Sequence, residues 1–106
     1  MSSTTVVLSF PSQRVTIAPD VLFRLVGEEA VLLNLKTELY LGLDPVGARM
    51  WRVLADSPSI EAAFQSLLAE YDVEGSRLRA DVEEFIGKLI AQQLVLIESS
   101  EASATT

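Results

Sequence analysis

Tyr40-Leu41-Gly42-Leu43-Asp44-Pro45-Val46-Gly47-Ala48-Arg49-Met50-Trp51 contains the one change of period in the chain. Upstream of Asp44 the apolar residues come in short, strand-like runs, and downstream they recur at helical spacing. The switch falls on a helix start. Asp accepts from the free backbone N–H groups of a first turn, and Pro at the first helical position has no N–H to satisfy. The helix runs to about Ala55, with Val46, Met50, Val53 and Leu54 at i, i+4, i+7 and i+8, and Arg49 and Arg52 outside. Trp51 lies beside that stripe and is read as core.

Working back from Tyr40, Leu39 to Leu43 reads as a strand, Lys36-Thr37-Glu38 as a turn, and Ala30 to Leu35 as a nearly continuous apolar strand. Gly27-Glu28 is a second turn, and Val21 to Val26 alternates as a further strand, so the three form a meander. Val6-Val7-Leu8 and Val15-Thr16-Ile17 are shorter β-branched runs that fit either an irregular hairpin or two detached edge pieces. Working forward from Trp51, Ser57-Pro58-Ser59 caps a second helix with Ile60, Ala63, Phe64, Leu67, Leu68 and Tyr71 on one side. Asp72-Val73-Glu74-Gly75 ends it. A third helix from about Ser76 to Gln92 carries Leu78, Val82, Phe85, Ile86, Leu89 and Ile90, and Leu94 to Ile97 is a terminal strand or extended tail. The expected fold is α+β and winged helix-turn-helix-like, a three-stranded antiparallel sheet followed by three helices. Residues 6–98 form one domain in this reading, between disordered tails at 1–5 and 99–106.

The residue inventory narrows the chemistry. Among 106 residues there is no His and no Cys, which removes the commonest general base, metal ligand and strong nucleophile. Glu28-Glu29 and Glu83-Glu84 are neighbouring acids, but adjacent helical residues point about 100° apart, so Glu83 and Glu84 cannot serve one reacting atom. No catalytic residue, metal site or cofactor is expected. The glycines have no phosphate-cradling spacing, and no apolar run approaches the roughly 20 residues that span a bilayer. With no secretory signal at Met1-Ser2-Ser3-Thr4-Thr5, the default compartment is the cytoplasm. Eight basic against fifteen acidic residues give a formal charge of −7, which disfavours nucleic acid.

What remains is a strand beside an amphipathic helix. If Leu39 to Leu43 pairs only with Ala30 to Leu35, its other edge is open to an incoming strand. Alternatively, Val6 to Leu8 or Val15 to Ile17 covers that edge. The residues by themselves allow both.

The ordered set of an apolar strand (Ala30 to Leu35), a Thr-containing turn, a Tyr-bearing strand and then Leu43-Asp44-x-x-Gly47-x-x-x-Trp51 resembles the PqqD-like family. Ile60-Glu61-Ala62-Ala63 to Glu70-Tyr71-Asp72-Val73, and Leu78 to Leu94, resemble that family's second and third helices, so the likeness spans about residues 15–97. It implies a non-catalytic element that binds the leader segment of a ribosomally made precursor peptide by strand addition. The leader would be passed to a separate modifying enzyme, either the protease and cyclase of a lasso-peptide pathway, which is favoured, or a radical SAM enzyme. By position it implies strand pairing at Glu38, Leu39, Tyr40, Leu41 and Leu43, and a helix wall at Leu78, Arg79, Val82, Glu83 and Ile86. Val82 and Ile86 also fit plain core positions. The family often has Gly where this chain has Glu38, a poorer residue for a left-handed turn. The competing readings are a winged-helix nucleic-acid regulator, for which Arg77 and Arg79 speak and Asp81, Glu83 and Glu84 speak against, and an adaptor or homodimer using the same edge. A monomer or weak dimer is expected.

Overall fold

The computed structural model describes residues 8–99. Among these residues five strands and three helices follow a short 3-10 turn at Phe10–Ser12: β1 (Gln13–Ile17), β2 (Val21–Val26), β3 (Glu29–Asn34), β4 (Tyr40–Leu43), α1 (Pro45–Asp56), α2 (Ile60–Glu70), α3 (Gly75–Ala91) and β5 (Val95–Ser99). β2, β3 and β4 form the expected antiparallel meander in that spatial order, and the three helices follow it.

The helix starts form as the sequence requires. The Asp44 carboxylate accepts from the Gly47 N–H at 2.7 Å with Pro45 at the first helical position, and the Ser59 hydroxyl accepts from the Ala62 N–H at 3.0 Å. A Cβ on residue 47 would lie 3.3 Å from that Asp44 oxygen, so glycine keeps the cap uncrowded. α3 ends in a Schellman turn: the Leu94 N–H donates to the Leu89 carbonyl and the Gln93 N–H to the Ile90 carbonyl. Gln93 takes the left-handed position at φ 59°. Leu89 and Leu94, the pair such a turn brings together, are both fully buried.

The core lies between the inner face of the meander and the helices. Leu32 and Ala30 of β3 and Leu43 of β4 meet Ala48, Trp51 and Leu54 of α1, Ile60, Phe64 and Leu67 of α2, and Leu78, Val82, Ile86 and Leu89 of α3. Trp51 is 3% exposed and stacks on Phe23 of β2, ring centroids 6.3 Å apart, which makes it a core residue. Phe10 meets Phe64 edge to face at 5.8 Å. On the surface, the Arg49 guanidinium of α1 makes a bidentate pair with Glu70 of α2. The hydrogen bond to Glu70 raises the arginine's pKa.

Val15 to Ile17 lies in β1, which pairs antiparallel with β5 in a separate two-stranded sheet, Val15 opposite Ile97 and Ile17 opposite Val95. The alternation of that segment is satisfied by the carboxy-terminal strand, a long-range partner that local spacing does not reveal. Leu8 packs against the core. Val6, Val7 and the expected tails lie outside the described residues, except Ser99, which is the last residue of β5 and opposite Gln13.

Candidate functional site

Among the described residues β4 is an edge strand. Its register against β3 places Leu33 opposite Tyr40, Leu32 opposite Leu41, Val31 opposite Gly42 and Ala30 opposite Leu43. Among the described residues no strand pairs with its other side. The turn fixes which backbone groups face that side. The Asn34 N–H donates to the Leu39 carbonyl at 2.9 Å, so Asn34 and Leu39 are a hydrogen-bonded pair of the ladder. Such pairs alternate in antiparallel sheets. Leu41 and Leu43 therefore turn their N–H and C=O groups toward β3, and Tyr40 and Gly42 turn theirs toward the open edge.

The turn is held by one buried polar side chain. Asn34 is 5% exposed; its carbonyl oxygen accepts from the Lys36 and Thr37 N–H groups at 2.9 and 3.1 Å. Its amide nitrogen donates to the Gln93 carbonyl at 2.7 Å, which ties the β3–β4 turn to the end of α3. Glu38 stands at φ 66°, in the left-handed region that glycine occupies most readily.

Beside β4 lies a cleft of about 300 Å³ between the strand, the start of α1 and α3. Its apolar floor is Leu41, Leu43, Val46, Met50 and Phe85, and its rim carries Asp44, Asp81, Glu84 and Lys88. Val46 belongs to the apolar stripe of α1 yet is 47% exposed, because it faces the cleft and not the core. Asp81, Glu84, Phe85 and Lys88 stand at i, i+3, i+4 and i+7, a single stripe along α3.

Residues 29–95, more than half of the chain, match the family described as coenzyme PQQ synthesis protein D (PqqD). The chain belongs to the PqqD family. This PqqD-family fold also matches the solved structure of TbiB1 in complex with the TbiA(beta) leader peptide. The TM-score is 0.67 and the identity 33%, over 76% of this chain and 93% of that one. No curated protein matches the chain.

Of the residues that position assigned to the strand, Leu41 and Leu43 line the cleft, Tyr40 stands 69% exposed on the opposite face of β4, and Glu38 and Leu39 sit in the turn before it. The helix-wall set is not brought together. Leu78, Val82 and Ile86 are buried in the core at 3%, 0% and 0% exposure. Arg79 lies over the rings of Phe10 and Phe64, 4.2 and 4.9 Å from their centroids, and reaches Glu61 at 3.5 Å. Glu83 is exposed and does not line the cleft. At about 100° per residue, Arg79 and Glu83 project from the side of α3 away from the cleft stripe. The α3 residues that line the cleft are instead Asp81, Glu84, Phe85 and Lys88. The signal for them was an apolar stripe from Phe85 to Ile90 too wide for one buried face, with charged residues flanking Phe85.

Proposed function

We propose that this PqqD-family chain is a non-catalytic recognition element that captures the leader segment of a ribosomally synthesised precursor peptide as an added strand on β4. The observation that carries this reading is the edge of β4 that no described strand pairs, bordering an apolar-floored cleft. The fold is shared with a protein whose solved structure holds a leader peptide. In this mechanism Tyr40 and Gly42 give backbone hydrogen bonds that any sequence can return. Alternate leader side chains enter the cleft over Leu41 and Leu43, against Phe85 on α3. With no His or Cys in these 106 residues, the chain holds its peptide for chemistry done elsewhere. The recipient is separate cytoplasmic modifying machinery, the protease and cyclase pair of a lasso-type pathway in preference to the alternative, a radical SAM enzyme. Arg79, one of the two arginines that favour a nucleic-acid reading, is engaged with Phe10, Phe64 and Glu61.

Calorimetric titration with leaders of precursors encoded beside this gene tests the reading. One of them should bind, and Gly42→Pro, which deletes an N–H facing the open edge, should weaken that binding about tenfold or more while the protein stays folded. Absence of heat with every local leader, or full affinity in folded Gly42→Pro, would overturn it.

A further inference from the structure

The rim of the cleft is predominantly acidic. Asp44, Asp81 and Glu84 face it against the single cation Lys88, in a chain whose formal charge is −7. Asp44 is already committed to the first turn of α1, where it accepts from the Gly47 N–H. Asp81 and Glu84 appear in no ion pair among the described residues, and both flank Phe85 on the cleft stripe of α3. We infer that the cleft selects cationic leaders: an apolar residue against Phe85 and Met50, with a Lys or Arg two positions along the strand facing Asp81 and Glu84. This rests on the capture reading above and adds the chemical class of its ligand.

The spacing of the two structures fits. Cleft-facing residues of an extended strand recur about every 7 Å, and positions four apart on a helix, such as Asp81 and Phe85, are about 6 Å apart along the axis. For a strand that runs along α3, a residue over Phe85 sets its cleft-side neighbour level with the acidic end of the stripe or with Lys88. The two acids outweigh the single Lys88, so a cation gains and an acidic residue is repelled. The apolar floor provides affinity and the acidic rim provides selection, since exposed charge pairs contribute little affinity and much discrimination.

The test uses the full 106-residue chain and displayed random peptides of about ten residues, long enough to cross the short β4 edge. At low salt the selected peptides should carry Lys or Arg two positions from an apolar residue. They should bind Asp81→Asn/Glu84→Gln about 3–10-fold more weakly, and the difference should vanish near 1 M salt. Asp81→Lys/Glu84→Lys should reverse the preference toward Asp and Glu peptides. Peptides that lose binding to Gly42→Pro yet show no cationic preference and no response to the double variants would overturn charge selection and leave strand capture standing. If no peptide is enriched, or the enriched ones are indifferent to Gly42→Pro, both readings fail together.

Discussion

α3 carries two longitudinal stripes about one residue step apart, and they meet opposite fates. Leu78, Val82, Ile86 and Leu89 are buried and hold the helix to the sheet and to its sister helices. Asp81, Glu84, Phe85 and Lys88, rotated by about 100°, look into the cleft. The first stripe is purely apolar because its surroundings are complete. In the second, a half-buried aromatic stands among charges, a composition suited to a surface that is covered only part of the time. The fold and the binding face are thus separable on one helix, and mutations should divide accordingly.

The largest effects belong to the buried stripe and to the ladder behind it. Ile86→Ala should cost about 2–5 kcal/mol in denaturant unfolding, since a fully buried side chain is replaced by a cavity. Leu41→Pro should cost a comparable amount, of order 3 kcal/mol, because the Leu41 N–H faces β3 and the proline would break an internal hydrogen bond. Gly42→Pro, one residue on, should leave stability within about 1 kcal/mol of wild type, as proline is tolerated where the N–H faces outward. Equal destabilisation by the two prolines would show that the ladder phase drawn from the Asn34–Leu39 bond is wrong. Phe85→Ala is the counterpart to Ile86→Ala across the stripes. It should lower the affinity for a bound leader about tenfold or more, with a smaller loss of stability than Ile86→Ala, both read on the same sample.

Much of the fold is legible in the sequence. The meander, the Asp44-Pro45 start and the three helices follow from local signals: alternation, capping chemistry and helical spacing, each complete within a few residues. The partner of β1 was not, because its ladder closes with β5 at the far end of the chain. Nor was the phase of β4. Strand spacing says that alternate residues share a face, but which N–H groups point outward is read from one turn hydrogen bond, at a residue whose side chain bonds the distant Gln93 carbonyl. The stripe on α3 failed for a related reason. Helical periodicity finds an apolar arc, yet where the core ends and a cleft begins along that arc is set by how far β4 stands from the helix. Val46 and Phe85, each apolar and each facing the cleft, mark the place where periodicity alone overstates the core.

The smallest effects should come from the side of α3 away from the cleft, where position alone had placed Arg79 and Glu83 in the binding wall. Arg79 covers Phe10 and Phe64, so Arg79→Ala should cost about 0.5–1 kcal/mol of stability through lost cation–π contact. Its leader affinity should stay within about twofold of wild type, since rim charges away from an interface act weakly. Glu83→Gln should change neither quantity beyond a few tenths of a kcal/mol, as expected for an exposed helical carboxylate. Both would be measured beside Phe85→Ala by the same titration. A leader that binds Arg79→Ala or Glu83→Gln more than about tenfold more weakly than wild type would place peptide on the far side of the helix. The cleft stripe and the capture edge of β4 would then have to be given up as one site, because a strand added to β4 cannot also reach around α3.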